Sequence, residues 1–437
     1  MFGLNEQIVA VAVLVVTYII LFAEKLNRAV AVLLGTAFLI LCGILSQETA
    51  IAAIDFNTLA LLSGMMIIVG ISEKSGMFQY VAILASKVVK ASPRGILAVL
   101  AIITAVLSAL LDNVTTVLLI VPVTFQIARN LKVSPYPYLM IEIFASNIGG
   151  TATLIGDPPN ILIGSALNLS FMDFVRELLP LVVCNLLVLI LAFDVFVGRK
   201  LKANIQDRES LLSVRSRDMI TDKVLLLKSL FVLVFVLSGF IGAEYLRVQN
   251  GTIALFGAAL MLWLYTQGDE HALRDQKVED AFSLVDWTTI FFFIGLFAIV
   301  FALETTGVLE ILGEKLLLVT KNSLQTATFS VLWISAVLSA FIDNIPFVAT
   351  MIPTLKSMEV SMGGREVMMP VWWALAVGSC FGGNGSLIAA SANVIVAGMA
   401  SKENERISFA KFLMFGVPVM LVSVCIATIY FYYKYYM

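Results

Sequence analysis

The stretch LSALLDNVTTVLLIVP, Leu107–Pro122, returns 231 positions later as LSAFIDNIPFVATMIP, Leu338–Pro353, with seven identities in 16 positions. At the same offset DFNTLALLSGMMIIVGISEKSG (Asp55–Gly76) aligns without gaps to DWTTIFFFIGLFAIVFALETTG (Asp286–Gly307), with seven identities in 22. At an offset of 233, SNIGGTATLIGDPPN (146–160) pairs with SCFGGNGSLIAASAN (379–393). Apolar segments resemble one another by chance, but chance does not reproduce an Asp-Asn pair, a Gly-Gly pair, a proline and a closing asparagine. The chain is an internal duplication.

Composition says what is duplicated. Of 437 residues, 60% are hydrophobic and 13% charged, against about 25% charged in a typical soluble domain. A soluble fold could not hide so much apolar surface. Apolar runs near 7–22, 29–45, 57–72, 178–197, 224–241, 250–266, 287–303 and 412–433 each suit a bilayer core that needs about 20 residues per helix. Four further stretches (95–130, 137–168, 324–356 and 370–400) carry a polar cluster at their middle. The expected fold is an all-α polytopic membrane protein of about 11 spans. Residues 1–197 would form a first repeat, 198–223 a cytoplasmic linker and 224–437 a second repeat. Met1–Gln7 has neither a basic n-region nor a cleavage site, so the first apolar run reads as a retained helix.

With the N-terminus placed outside, 21 of the 28 basic residues fall inside and seven outside. The reverse orientation breaks the positive-inside rule. On that assignment the segment after Asp55 enters from outside and its copy after Asp286 from inside, so the two repeats are inverted. Inverted repeats with interrupted helices at matching places point to a secondary transporter and its midplane site. Arg94 lies before 95–130 and Arg129 and Lys132 around its end, all on one side. That stretch therefore reads as a re-entrant hairpin tipped by Asp112-Asn113, and 324–356 as its copy tipped by Asp343-Asn344.

Composition also excludes functions. The net charge of −2 and the lack of a long basic tract argue against nucleic acid, and the single histidine, His271, expected in the polar loop 267–285, argues against His-based metal sites and Ser-His-Asp chemistry. The four cysteines show no CxxC spacing and read as small buried apolar residues. No nucleophile–base pair is visible, so an enzyme is not expected.

The interruptions carry the candidate chemistry. Gly149-Gly150 and Gly382-Gly383 weaken their helices by about 1 kcal/mol per glycine and let the chain unwind. Ser146, Asn147, Thr151, Asn160, Asn384, Ser386 and Asn393 add neutral polar groups, and Thr115 stands beside the first tip. Broken helices offer carbonyl oxygens to a cation and N–H groups to an anion. Asp112, Asp343 and Asp157 are the carboxylates expected to lie deep, which makes them functional candidates by default. Asp157, in GDPPN, has Ala390 as its counterpart and breaks the symmetry. Asp112 and Asp343 also suit helix capping at the tips. None of the interruptions contains Lys or Arg, which favours a cation, a proton or a neutral polar solute such as undissociated arsenite.

At DNVTT (112–116), NIGGTATLIGDPPN (147–160), IDNIPF-ATMIP (342–353) and GGNGSLIAASANV (382–394), the chain resembles the ion transporter superfamily. The branch is the one holding the arsenite permease ArsB, the sodium/proton antiporter NhaD and the pink-eyed dilution (P protein) permeases, and the strings are closest to the P-protein type. The Ser-Asn-Thr triplets of the related dicarboxylate branch are absent. The resemblance implies a homodimer working as an elevator in a cell membrane, with no cofactor beyond a coupling Na+ or H+. It implies one ion site around Asp112, Asn113, Ser146, Asn147, Gly149 and Thr151, and a second around Asp343, Asn344, Gly383, Asn384 and Ser386. Na+ would sit at Asp112, Asn113 and Asn147, and at Asp343, Asn344 and Asn384. Gradient-coupled efflux of arsenite or a related small inorganic solute is the first expectation. Na+/H+ antiport and Na+-coupled anion transport are its rivals, and an ion channel is the alternative of another class.

Overall fold

A computed structural model describes residues 5–23, 26–320 and 323–437. Met1–Leu4, Lys25 and Lys321, which entered the reading of the N-terminus and of the charge split, lie outside the described residues. The first half runs through α1 (Glu6–Ala23), α2 (Arg28–Leu41), α3 (Gln47–Ala52), α4 (Phe56–Glu73), α5 (Met77–Val88), α6 (Pro93–Leu110), α7 (Asn113–Leu131), α8 (Tyr136–Gly150), α9 (Pro158–Leu167) and α10 (Phe171–Phe196). A short helix, α11 (Ile205–Ser213), follows. The second half runs through α12 (Lys223–Leu246), α13 (Asn250–Tyr265), α14 (His271–Phe282), α15 (Trp287–Thr305), α16 (Val308–Val319), α17 (Leu324–Ser339), α18 (Asn344–Glu359), α19 (Arg365–Gly382), α20 (Ser391–Lys402) and α21 (Phe409–Tyr435). Seven of these helices are long and apolar enough to cross a bilayer, and five shorter ones are apolar. Large apolar side chains stand on the exterior, Leu191 and Trp263 each being more than 60% exposed. That is a surface for lipid rather than water.

The repeat identities turn out to be helix punctuation. Asp55 caps α4 by accepting from the N–H of Asn57 and Thr58, and the Thr58 hydroxyl donates back to it at 2.6 Å. Asp286 caps α15 with Thr289 in the same way. Gly76 and Gly307, which start α5 and α16, have φ of +79° and +76°, a conformation that side chains disfavour. Gly64 and Gly295 mark close crossings: an added Cβ would stand 2.7 Å from the Ala254 carbonyl carbon and 2.7 Å from Val32, respectively. So α4 packs on α13, and α15 on α2, across the halves.

The hairpins are α6–α7 and α17–α18. The broken segments are α8–α9, interrupted over 151–157, and α19–α20, interrupted over 383–390. α6 lies against α8 and α17 against α19, with Phe144, Trp372 and Phe381 fully enclosed nearby.

Two details differ from the sequence reading. His271 sits at the start of a helix rather than in a loop, forming an exposed pair with Asp275 at 3.0 Å. HALRDQKVEDAF is rich in helix formers, which a hydropathy window does not register. Cys184 and Cys425 are exposed on the exterior, and Cys380 is buried.

Candidate functional site

Both hairpins end in an aspartate that caps the returning helix. The Thr115 N–H donates to Asp112 Oδ1 at 2.8 Å and the Thr115 hydroxyl to Oδ2 at 2.5 Å. The Ile345 N–H donates to Asp343 Oδ1 at 3.0 Å. Capping therefore engages both oxygens of Asp112, and Thr115 serves the cap rather than the centre. The asparagines that follow reach further inward. Asn113 Nδ2 lies 3.2 Å from Asp157 Oδ1 and Asn344 Nδ2 lies 3.4 Å from the same atom. The two hairpin tips meet at one carboxylate. Asp157 stands at the start of α9, is 1% exposed, and its Oδ2 has no hydrogen-bond partner among the described residues.

The unwound segments are held by matched asparagines. Asn160 Nδ2 donates to the carbonyls of Gly150, Thr151 and Thr153 at 3.4, 3.2 and 2.8 Å. Asn393 Nδ2 donates to those of Gly383 and Ser386 at 2.7 and 2.9 Å. Hydroxyls fasten each break to its hairpin: Ser108 to the Ser146 carbonyl and Ser339 to that of Ser379, at 2.7 and 2.8 Å, and Thr153 to the Ala109 carbonyl and Ser386 to that of Ala340, both at 2.5 Å. Buried backbone carbonyls demand such partners. Gly149 and Gly382 press on Ala105 and Ala336 with no room for a methyl group.

The halves are joined at their middles. Asn147 Nδ2 donates to Asn384 Oδ1 at 3.0 Å and to Asn393 Oδ1 at 3.1 Å. Its repeat counterpart, Cys380, donates to Asn160 Oδ1 at 3.6 Å. The Thr151 hydroxyl donates to the Asn147 carbonyl at 2.8 Å and the Ser146 hydroxyl to the Asn113 carbonyl at 3.2 Å. Asn384 Nδ2 has no partner among the described residues.

The two trios expected to hold Na+ are not assembled as trios. Asn113 and Asn147 approach to 3.5 Å, while Asp112 is turned to its cap. Among the described residues no hydrogen bond joins Asp343 or Asn344 to Asn384. What is assembled is a single centre: one carboxylate, the amides of Asn113 and Asn344 donating to it, and the N-termini of α7, α9 and α18 converging on it. Those helix ends favour a negative group, and a carboxylate without Lys or Arg favours a cation. A site with both can take a cation together with an anion.

Sequence reasoning missed Arg28. Its guanidinium donates to Thr289 Oγ1 at 2.6 Å and to Ser391 Oγ at 2.8 Å, and lies 3.4 Å from Asp286. With Tyr18, Phe292, Asp343 and Pro346 it lines a cavity of about 630 Å³ beside the second hairpin tip. The missed Ser108, Ser339 and Cys380 were visible in the repeat, where Ser108 aligns with Ser339 and Cys380 with Asn147. Arg28 aligns with nothing.

The fold and its centre agree with what the chain is similar to. The CitMHS citrate transporter family model matches residues 18–378. The chain belongs to this family. An uncharacterized transporter of Mycobacterium tuberculosis is 38% identical over 434 residues, covering 98% of this chain and 99% of that one. The human P protein is 32% identical over 507 residues, covering 98% of this chain and 60% of the P protein. The crystal structure of the Alcanivorax borkumensis YdaH transporter, described as having an unusual topology, aligns with a TM-score of 0.55 at 14% identity over 91% of this chain and 88% of that one. This CitMHS-family chain is a secondary transporter of the P-protein type, an integral multi-pass membrane protein and not an enzyme.

Proposed function

We propose that the protein is a gradient-coupled efflux transporter for arsenite or a related small inorganic solute, with a proton or Na+ as the coupling ion at the Asp157 centre. One observation carries the reading: the asparagines of both hairpin tips converge on a fully enclosed carboxylate that, among the described residues, has one oxygen without a hydrogen-bond partner and no basic partner. A bare carboxylate at this depth costs several kcal/mol, so binding a cation there is strongly favourable. One cation at a time satisfies it, and rearrangement of either hairpin dismantles the site. Occupancy is thereby tied to conformation.

A small organic anion is the second reading, favoured by Arg28 in the cavity beside the second tip and by the citrate transporter family name. The same proposal includes elevator movement of the hairpins and broken helices, a homodimer, and a cell-membrane location with the N-terminus outside. Mass measurement in mild detergent tests the dimer, and a monomer alone would refute it.

The test is parallel proteoliposome transport of arsenite, citrate and chloride, with and without an imposed Na+ or pH gradient. One solute is expected to accumulate only when a gradient is present, and Asp157→Asn to lose that dependence while remaining folded. Gradient-insensitive flux, as a channel gives, or full coupling in Asp157→Asn, refutes the reading.

A further inference from the structure

A further carboxylate is buried away from the Asp157 centre. Glu142 on α8 is fully enclosed. Its Oε1 accepts from the Thr124 hydroxyl of α7, and its Oε2 has no partner among the described residues. None of the helices packed on α8 supplies a charge to balance it. On α6, Arg94 is held by Asp194 of α10. On α7, Arg129 is held by Glu403, and Lys132, just past its end, by Asp207. Glu177 of α10 pairs with Lys434 of α21, and Arg365 of α19 donates to the Leu167 carbonyl. No ion pair among the described residues links Glu142 to Arg176, Lys402 or Lys411, and the remaining charged groups of α10 and α19, Asp173 and Glu366, are themselves acidic. On α8 itself, Tyr138 donates to the Pro93 carbonyl.

The repeat shows that Glu142 is not demanded by the fold. At an offset of 233 its counterpart is Leu375, and at 231 Thr124 and Thr116 face Leu355 and Phe347. The second half fills the same places with a dry core. In the first half, Asn113, Thr116 and Thr124 share one face of α7, and Glu142 and Ser146 share one face of α8. The Thr116 hydroxyl is buried without a partner among the described residues, the Ser146 hydroxyl bonds the Asn113 carbonyl, and Asn113 bonds Asp157. Polar groups on the facing sides of α7 and α8 thus lie between Glu142 and the centre in the first half only.

We propose that Glu142 is a proton-exchanging station on a one-sided path between the Asp157 centre and the membrane face where α7 ends and α8 begins. On release, its carboxyl O–H bond breaks, the proton passes to water at that face, and the carboxylate stays hydrogen-bonded to Thr124. Uptake reverses the step. Water molecules carry the proton past the polar groups of α7 and α8, about 12 Å from Thr124 to Thr116 at helical rise. This inference rests on the coupling role given to the Asp157 centre.

The test uses the full chain. A pH-step infrared difference spectrum of wild type is expected to contain a protonated-carboxyl band that Glu142→Gln removes and Asp157→Asn retains. In vesicles loaded with a pH-sensitive dye, proton flux driven by a Na+ or citrate gradient is expected to fall about a hundredfold in Glu142→Gln. Glu142→Leu, which copies the residue of the other half, is expected to remain folded and lose the flux equally. An unchanged carboxyl band and unchanged flux in Glu142→Gln overturn the proposal. Loss of the Glu142 band with full coupling in Asp157→Asn would instead sink the reading of the centre.

Discussion

Gly149→Ala tests the close approach that sets the first broken helix against its hairpin. A methyl group there would stand 2.3 Å from the Ala105 carbonyl oxygen, 2.4 Å from its Cα and 2.7 Å from its carbonyl carbon. Each neighbour is backbone in a packed helix, so no side-chain rotation relieves the overlap. Overpacking of this kind costs up to about 3 kcal/mol, while Ala gains about 1 kcal/mol over Gly in a helix interior. The net expectation is a loss of about 2 kcal/mol, with α8 pushed off α6 and Ser146 and Asn147 carried with it. Gly398 is the matched control. It lies inside α20 with no atom of the described residues beyond its own helical turn within 4 Å of its Cβ position, so Gly398→Ala keeps the propensity gain and should melt higher. Thermal unfolding in detergent, followed by tryptophan fluorescence, reads both. Shifts of opposite sign are expected. Gly149→Ala melting with wild type, or Gly398→Ala melting below it, would show that the packing argument is wrong.

Asn393→Ala strips the Gly383 and Ser386 carbonyls of their donor and Asn147 of an acceptor, and at about 1–3 kcal/mol per orphaned buried group it should destabilise severely. Hydrogen exchange over 383–391 should quicken in the same variant, and slow exchange there would count against the clamp. Asp112→Asn should melt and transport like wild type, because Asn caps as well as Asp, whereas Asp112→Ala should lose about 1 kcal/mol. Uncoupled transport in a stable Asp112→Asn would return this carboxylate to the ion site.

Much of the fold was legible because the informative residues are those that apolar helices do not need. Gly-Gly, Asp-Pro-Pro and Asp-Asn interrupt runs that hydropathy alone would continue, and each interruption proved a helix end. The candidate centre was only half legible. Asp112 and Asn113 differ by one position, or about 100° around a helix, and nothing in the string says which turns back to cap and which reaches across. Asp157 attracted notice for lacking a counterpart, yet only the meeting of both tips shows why one carboxylate serves two repeats. Arg28 reaches Asp286 and Ser391 across most of the chain, a pairing that no local pattern encodes. The polar segments hid α11 and α14 because hydropathy registers lipid, not helix.

The exchange of α4 and α15 between halves bears on how the protein is made. As α4 leaves the ribosome, the surface around Gly64 that will meet Ala254 has no partner, because α13 has not been synthesised. The helix must wait in the bilayer or translocon with lipid against that groove. α15 meets no such delay, since Val32 of α2 is already in place. The first half is therefore an incomplete folding unit and the second completes both, so truncation after α10 should leave a product that quality-control proteases remove rather than a stable half-transporter.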